Sequence, residues 1–180
     1  MMKQVKLKDK VFEVSIPSEK IQHAVAQIAQ NINQDYTAKD VPLFISILNG
    51  SFMFTADLLK HIDFNCEITF LKLSSYKGTS TTGKVKQLIG VNEKISGRDV
   101  IVLEDIVDSG ITLDQIVKEL NKFGAASVKI STLLLKPAAY KKNIPIEYVG
   151  MEIPNDFIVG YGLDYDGLGR NLPDIYTLKS

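Results

Sequence analysis

The chain has 180 residues, 45% of them apolar and 23% charged, which suits a single soluble globular domain. Its 21 basic and 21 acidic residues balance, so no net charge favours nucleic acid or a membrane surface as a partner. Cys66 is the only cysteine, and the charged N-terminus does not resemble a signal peptide. No apolar run reaches the roughly 20 residues of a transmembrane helix. Together these features predict a cytoplasmic protein.

The chain begins with weakly alternating residues and continues with a clear helical repeat. Residues 1–15 alternate between polar and apolar side chains, as an edge strand or a hairpin does. Ser18 then has the residue type of a helix N-cap, and apolar residues follow at helical spacing from Ile21 to Ile32. This pattern predicts a helix with one apolar face turned to a core.

Two predicted strands follow, each ending in small or polar residues. The apolar run 41–48 predicts a buried strand, which the turn Asn49-Gly50-Ser51 separates from a helix over 52–61. Turns at the carboxyl ends of strands bind ligands in open α/β sheets, although this turn could equally be a plain connection. A second strand over 66–73 leads into the small, polar segment 74–84, which is either a flexible hairpin tip or a lid over an active site.

The stretch Val100–Thr112 carries the strongest chemical pattern in the sequence. Four aliphatic residues predict a buried strand, and Glu104, Asp105 and Asp108 follow in a predicted turn. Ser109-Gly110-Ile111-Thr112 then opens a helix, whose N-terminal N–H groups and dipole suit a phosphate. Carboxylates beside such a phosphate cradle are useful where a divalent cation is bound or a proton is transferred.

The last third of the chain adds a basic residue and an aromatic segment. A strand over 126–135 ends at Lys136, which therefore points toward the edge that carries Glu104 and Asp105. The segment Phe157–Arg170 mixes aromatic residues and glycines with acids, so it could hold a flat heterocycle or pack on its own aromatic side chains. Strands that alternate with helices indicate an α/β fold with a mainly parallel sheet flanked by helices.

Several of these motifs resemble the hypoxanthine/guanine phosphoribosyltransferases, which are type I phosphoribosyltransferases. The stretch Val100–Thr112 is similar to the signature with which that superfamily binds phosphoribosyl pyrophosphate. The other matching pieces are Leu48-Asn49-Gly50-Ser51, Ser75-Tyr76, Leu135-Lys136 and Phe157–Asp164 with Arg170. Of these, Lys136 and Phe157–Asp164 narrow the resemblance to enzymes of 6-oxopurines. The resemblance implies one domain over 1–180 with a type I phosphoribosyltransferase-like core, a small hood from about 1–15 and 155–180, and a lid over 74–84.

The resemblance also implies a reaction of purine salvage. A 5-phosphoribosyl group would pass from phosphoribosyl pyrophosphate to hypoxanthine, and also to guanine, giving IMP or GMP and pyrophosphate. Asp108 would be the general base. The 5′-phosphate would bind to the segment composed of Asp108, Ser109, Gly110, Ile111 and Thr112. Glu104 and Asp105 would face the ribose hydroxyls and magnesium, the expected cofactor.

The resemblance assigns recognition of the base to the later matching segments of the chain. Lys136 would donate a hydrogen bond to the O6 atom of the purine, and Phe157 would stack on its ring. The backbone of Ile158 would read the ring edge. Asp164 would lie near the 2-position of the purine and near a second magnesium ion.

The leaving group would contact a third set of residues. Pyrophosphate would bind to the turn Leu48-Asn49-Gly50 and to Arg170, while Ser75 and Tyr76 would begin a lid that excludes water. Asn49 stands where many relatives have Lys or Arg, so this chain lacks a positive charge at that position. The backbone contacts of the turn are compatible with this difference.

Two other functions stay open from the sequence. A regulatory protein could keep this fold, sense nucleotides and bind nucleic acid, although the balanced charge and the presence of Asp108 argue against it. A phosphoribosyltransferase that prefers xanthine would carry the same motifs. No nucleic-acid or membrane partner is expected, and the resemblance implies a homodimer or a homotetramer.

Overall fold

Two β-sheets and three helices make up the described part of the chain, which in this computed structural model comprises residues 4–37, 39–74, 86–89 and 94–179. The helices are α1 (Ser18–Asp35), α2 (Phe52–Leu59) and α3 (Ile111–Lys122). No helix in these ranges is both long and apolar enough to cross a lipid bilayer. The strands, in chain order, are β1 (Gln4–Leu7), β2 (Lys10–Ile16), β3 (Leu43–Leu48), β4 (Glu67–Ser74), β5 (Lys86–Ile89), β6 (Asp99–Val107), β7 (Ser127–Leu135), β8 (Tyr148–Glu152), β9 (Ile158–Val159) and β10 (Ile175–Leu178).

A six-stranded sheet in the order β5-β4-β3-β6-β7-β8 forms the centre of the fold. Five of its strands are parallel, and β5 pairs antiparallel with β4 at one edge. The prediction of a mainly parallel sheet flanked by helices is confirmed. Strands β3, β6 and β7 are neighbours, so the turns after Leu48, Val107 and Leu135 meet at one edge of the sheet.

Helices cover both faces of this sheet because side chains on its strands alternate between two hydrophobic cores. On one face, Phe44 and Ile101 pack with the apolar stripe of α1 and with Phe54 of α2. On the other face, Leu43 packs in a cluster that includes Ile116 of α3. The helices α1 and α3 therefore bury the apolar sides that the sequence pattern predicts.

A second sheet brings the two ends of the described chain together. Its order is β1-β2-β10-β9, and each neighbouring pair is antiparallel. Phe12, Val159 and Tyr176 bury their side chains in its core. The terminal segments from which the hood is expected contribute these four strands. The carboxylate of Asp174 accepts a 2.8 Å hydrogen bond from the N–H of Ser18, which joins this sheet to the start of α1.

Two local predictions are wrong. Ser18 is the first residue of α1 rather than its N-cap, no side-chain hydrogen bond from the capping position is made, and Asp174 accepts the Ser18 N–H instead. Strand β6 extends to Val107, so Glu104 and Asp105 lie in the strand and not in the turn after it. The strand continues because its pairing with β7 runs past the two acids as far as Val107.

Candidate functional site

The turn between β6 and α3 forms an open pocket that runs from Glu104 through Asp108 and Ser109 to Leu113. Gly110 precedes α3 with a φ of 77°, a left-handed conformation that favours glycine. A Cβ atom at Gly110 would also lie 2.5 Å from the ring of Tyr140. The helix begins in this pocket without a side-chain cap, so the pocket has the N–H groups and the dipole that suit a phosphate.

Two neighbouring carboxylates, one buried and one half-buried, lie beside this pocket. Glu104 is 9% exposed, and burial together with the neighbouring Asp105 raises its pKa well above the usual range. Burial also raises the pKa of Asp105 to about 6, although backbone hydrogen bonds and the charge of Arg170 oppose the rise. Two acids held side by side away from bulk water repel one another when ionised, so this position favours a bound cation or a donating hydroxyl group.

The turn between β3 and α2 packs directly against Asp105. The peptide bond between Leu48 and Asn49 in this turn is cis. A Cβ atom built on Gly50 would overlap a carboxylate oxygen of Asp105, so a larger residue here would displace that carboxylate or the turn. The carbonyl oxygen of Gly50 lies so close to Gly162 that a Cβ atom added to Gly162 would overlap this oxygen. Three segments that are distant in sequence therefore meet at this turn.

Lys136 lies at the carboxyl end of β7, between the acidic pocket and the C-terminal segment. It is 8% exposed, and its Nζ donates a 2.9 Å hydrogen bond to the carbonyl oxygen of Asp156. The same Nζ lies 3.9 Å from Oδ2 of Asp108, whose side chain is 56% exposed. A buried ammonium group and an accessible carboxylate thus lie side by side, and the ammonium group is bonded to the residue that precedes Phe157.

Phe157 presents an aromatic ring that is 48% exposed. It packs against Phe12 and Tyr165, with ring centroids 6.2 Å and 5.9 Å away. The Nζ atom of Lys10 lies 5.8 Å from the centroid of the same ring. The β1-β2 hairpin therefore supports Phe157, and the exposed part of the ring can stack on a flat ligand. Ile158, the next residue, pairs with Thr177 in the small sheet.

Arg170 ties the C-terminal segment to the Gly50 turn. Its guanidinium group donates a 2.6 Å hydrogen bond to the carbonyl oxygen of Gly162 and forms a 2.5 Å ion pair with Asp164. The N–H of Gly162 in turn donates to the carbonyl oxygen of Arg170 at 2.9 Å. Because Gly162 also contacts Gly50, this hydrogen bonding holds Asp164 and Arg170 on the side of the site that carries the turn.

Tyr161 fixes the same segment to α2. Its hydroxyl donates a 2.7 Å hydrogen bond to Asp57, which also accepts hydrogen bonds from Gln22 and Lys60. Burial acts to raise the pKa of Asp57, but the three hydrogen bonds together lower it below its ordinary value. A carboxylate with a lowered pKa stabilises the fold above about pH 4, and that contribution is lost as the pH falls through the folded-state pKa.

Replacing Tyr161 with phenylalanine should lower the free energy of unfolding by about 1–2 kcal/mol at pH 7, because the Asp57 carboxylate loses a donor. The loss should shrink as the pH falls below about 4, the ordinary pKa of an aspartate, and Asp57 becomes protonated. Urea denaturation at pH 7 and at a series of lower pH values measures it. Tyr165→Phe is the matched control, because its hydroxyl bonds the exposed Asp9 at 2.9 Å, and it should cause a smaller change. An equal loss for Tyr161→Phe at all of these pH values would contradict the role of the carboxylate.

Magnesium suits the chemistry of the acids in this site. Carboxylate oxygens are its preferred protein ligands, and it usually keeps several water or substrate oxygens. A cation would relieve the repulsion between Glu104 and Asp105. Within the described ranges, no three His, Cys, Asp or Glu side chains lie close enough to hold a metal alone. The predicted ligands Glu104, Asp105 and Asp164 therefore need substrate and water oxygens to complete a magnesium site.

The structure brings most of the predicted site segments to one edge of the sheet. Ser75 and Tyr76, with most of the expected lid, lie outside the described residues. The motifs do not indicate the contacts of Gly162, Tyr161 and Tyr140 with the site. For the first two, the only sequence signal is the repeated glycine and aromatic pattern after Phe157, since glycine permits close contact between backbones. For Tyr140 there is none.

Comparisons with known proteins identify the family. The family model of the phosphoribosyl transferase domain matches residues 17–166. The hypoxanthine-guanine phosphoribosyltransferase of Bacillus subtilis is 41% identical over 174 residues, which is 96% of each chain. The protein of the same name from Lactococcus lactis is 42% identical over 95% of this chain and 93% of its own.

Solved structures share the fold. A crystal structure of a hypoxanthine phosphoribosyltransferase from Staphylococcus aureus matches with a TM-score of 0.86 at 42% identity, over 93% of this chain and 91% of that one. A crystal structure of a hypoxanthine-guanine phosphoribosyltransferase from Bacillus anthracis, solved with a HEPES molecule in its active site, matches with a TM-score of 0.85 at 41% identity. The match covers 93% of this chain and 96% of that one. The chain therefore belongs to the phosphoribosyltransferase family, among the hypoxanthine-guanine phosphoribosyltransferases.

Proposed function

We propose that this protein works in purine salvage, transferring the 5-phosphoribosyl group from phosphoribosyl pyrophosphate to hypoxanthine and guanine, with IMP or GMP and pyrophosphate as products. The observation that carries the proposal is the position of Lys136, between Asp108 and the carbonyl oxygen of Asp156, the residue before Phe157. One edge of the sheet thus combines a phosphate pocket, an accessible carboxylate and a donor for a purine carbonyl group.

The pocket at the start of α3 is the proposed site of the 5′-phosphate. Backbone N–H groups of Asp108–Thr112 and the hydroxyls of Ser109 and Thr112 donate hydrogen bonds to it. The Oγ atom of Ser109 accepts a long, 3.5 Å hydrogen bond from the N–H of Ile111, so its own hydrogen can be donated to the phosphate. Glu104 and Asp105, at the end of β6, accept hydrogen bonds from the ribose hydroxyls.

Asp108 is the proposed general base. As the bond between C1′ and pyrophosphate breaks, positive charge develops on the ribose, and a ring nitrogen of the purine attacks C1′. Asp108 accepts the proton that the purine loses from N9 or N7. Its side chain is 56% exposed, as a group that must meet a substrate proton requires.

Lys136 is the proposed reader of the purine O6 atom. Its ammonium group has three hydrogens, and the bond to Asp156 uses one of them. Adenine carries an amino group in place of O6, so two donors would face each other and adenine should be rejected. Phe157 stacks on the ring, the backbone of Ile158 reads its edge, and Asp164 lies near the 2-position.

Pyrophosphate is proposed to bind between the β3-α2 turn and Arg170. The backbone of Leu48, Asn49 and Gly50 donates to its oxygens. Because Asn49 carries no charge, Arg170 supplies the positive charge on this side. Ser75 and Tyr76 begin the proposed lid, which excludes water from the reacting carbon.

Magnesium is the proposed cofactor, held by Glu104, Asp105 and Asp164 directly or through water. When bound, it would neutralise charge on the pyrophosphate. The two acids near the end of β6 support this assignment. Burial raises the pKa of both, the charge of Asp105 raises that of Glu104 and the charge of Asp164 raises that of Asp105, and a cation would offset this repulsion.

We also propose a cytoplasmic homodimer or homotetramer that has no nucleic-acid or membrane partner. A free cysteine, Cys66, and equal numbers of acidic and basic residues support the location and the absence of these partners. The assembly rests on the family resemblance. Size-exclusion chromatography with light scattering measures it, and a monomer at all concentrations would contradict it.

Product formation from a panel of bases tests the proposed function. Purified protein with phosphoribosyl pyrophosphate and magnesium should convert hypoxanthine and guanine, leave adenine unchanged and lose activity when EDTA is added. A protein that converts neither hypoxanthine nor guanine would contradict the proposal. Faster conversion of xanthine would replace the assigned substrate, and salt-dependent binding of nucleic acid without turnover would point to a regulator.

A further inference from the structure

A chain of three buried hydroxyl groups lies directly behind the Gly50 turn. Ser46 on β3 and Ser51 after the turn have no exposed surface, and Thr55 on α2 is 3% exposed. The Oγ atom of Ser46 lies 2.7 Å from Oγ of Ser51 and 2.8 Å from Oγ1 of Thr55. Ser51 also donates a 2.6 Å hydrogen bond to the carbonyl oxygen of Ile47. Hydroxyls buried together in this way are stable only because each one is hydrogen-bonded.

Counting the hydroxyl hydrogens determines the donor-to-acceptor direction of the bonds in this hydroxyl chain. A hydroxyl group has one hydrogen, and that of Ser51 goes to the carbonyl oxygen of Ile47. Ser46 must therefore donate to Ser51, and Thr55 must donate to Ser46. The hydrogen bonds run one way, from Thr55 through Ser46 and Ser51 to Ile47, and each bond polarises and strengthens the next.

The hydroxyl chain ends on strand β3, one residue before Leu48, and not on the helix. Ser51 occupies the N-cap position of α2, yet its side chain makes no capping bond and reaches back to Ile47. The bond from Ser51 to Ile47 therefore closes a loop around Leu48-Asn49-Gly50. Gly50 is in contact with Asp105 and Gly162, so packing limits its movement away from the hydroxyls.

We infer that Ser51 is a positioning residue for pyrophosphate and that Ser46 orients its hydroxyl, whereas Thr55 only gives Ser46 a hydrogen-bond donor. This inference rests on the proposed function, in which the turn at Gly50 binds the leaving group. Because Asn49 carries no charge, the turn binds through backbone groups, and such groups bind tightly only when their positions are set in advance. The bonds from Ser46 to Ser51 and from Ser51 to Ile47 provide this preorganisation.

The two ends of the hydroxyl chain supply a matched pair of variants. Ser51→Ala removes the link to Ile47 and leaves the hydrogen of Ser46 without an acceptor. Thr55→Val has the same shape as the native side chain and removes only the first link, so the bonds from Ser46 to Ser51 and on to Ile47 remain. Ser51→Cys fills the space of Ser51 with a weaker donor and serves if Ser51→Ala folds poorly.

We expect Ser51→Ala to raise KM for phosphoribosyl pyrophosphate and Kd for magnesium pyrophosphate about tenfold, through loss of a buried hydrogen bond. KM for hypoxanthine at saturating phosphoribosyl pyrophosphate should change by less than about twofold, because Lys136 and Phe157 are untouched. Ser51→Cys should lie between Ser51→Ala and the wild type. Thr55→Val should lower Tm but leave both measures of pyrophosphate binding near those of the wild type.

Two results would overturn the inference. One is a lower Tm for Ser51→Ala with an unchanged Kd for magnesium pyrophosphate, and the other is an equal rise in Kd for Thr55→Val. The wild-type protein separates these results from failure of the proposed function. If it converts no base and binds no magnesium pyrophosphate, the proposed function fails and the inference with it, whereas an active wild type matched by Ser51→Ala contradicts the inference alone.

Discussion

Replacing Asp108 with asparagine should lower kcat for hypoxanthine about 10²–10⁴-fold, because an amide cannot accept the proton that the purine loses. The variant should fold like the wild type, since the Asp108 side chain is 56% exposed and asparagine has nearly the same size. KM for phosphoribosyl pyrophosphate should change little, because the backbone of the phosphate pocket is retained. Steady-state rates at saturating concentrations of both substrates, with thermal unfolding as the check on folding, measure the effect.

Asp166→Asn is the control for the loss of a negative charge near the site. Asp166 forms an ion pair with Lys8, and its side chain is 67% exposed, so its removal should change kcat by less than about twofold. Similar falls in kcat for both variants would indicate a general electrostatic effect. A wild-type kcat in Asp108→Asn would remove Asp108 from the role of base.

Replacing Gly50 with alanine should lower kcat/KM by more than about 100-fold, because a shift of about 1 Å in reacting groups has effects of that size. The new Cβ atom would overlap the carboxylate of Asp105, so either the turn or the carboxylate must move. Both contribute to the proposed site, one to pyrophosphate and the other to ribose and magnesium. Initial rates over a range of phosphoribosyl pyrophosphate concentrations measure the loss.

Gly97→Ala is the control for an alanine at a glycine remote from the site. Gly97 has a φ of 76° and no heavy atom within 4 Å of a built Cβ, so the variant should lose some stability but keep its activity. A double-mutant cycle that combines Gly50→Ala with Asp105→Ala tests whether overlap with the Asp105 carboxylate causes the loss of activity. If the overlap is responsible, Gly50→Ala should add little further loss once the Asp105 side chain is gone. Additive losses would place the cause elsewhere.

Local patterns were sufficient to predict the order of the segments and the architecture of the large sheet. Alternating strands and helices predict a mainly parallel sheet, and a parallel sheet brings the turns after β3, β6 and β7 to one edge. The boundary of β6 is less predictable. Charged residues such as Glu104 and Asp105 usually mark the end of a buried strand, but pairing with β7 carries this strand past them.

Contacts between distant segments are the part of the site that the sequence does not reveal. Tyr161 and Asp57 are 104 positions apart, and no local pattern links them. Gly50 meets Asp105 and Gly162 only once all three segments have packed. The hydroxyl chain behind the turn is hidden for a related reason, because serine and threonine are common on protein surfaces and their type alone does not indicate burial. Their burial, and with it their need for hydrogen-bond partners, is evident only in the folded structure.

The small sheet also bears on how the protein is made. Strand β10 lies between β2 and β9, and in the described sheet β9 pairs with β10 alone. Ile158 in β9 is therefore paired with a residue that is synthesised after it, and the carbonyl oxygen of Phe157 accepts a 3.1 Å hydrogen bond from the N–H of Leu178. A chain that ends before Ile175 would keep the residues of the acidic pocket at β6 but lack the strand with which β9 pairs. The proposed binding of the base therefore depends on the last strand of the chain to be synthesised.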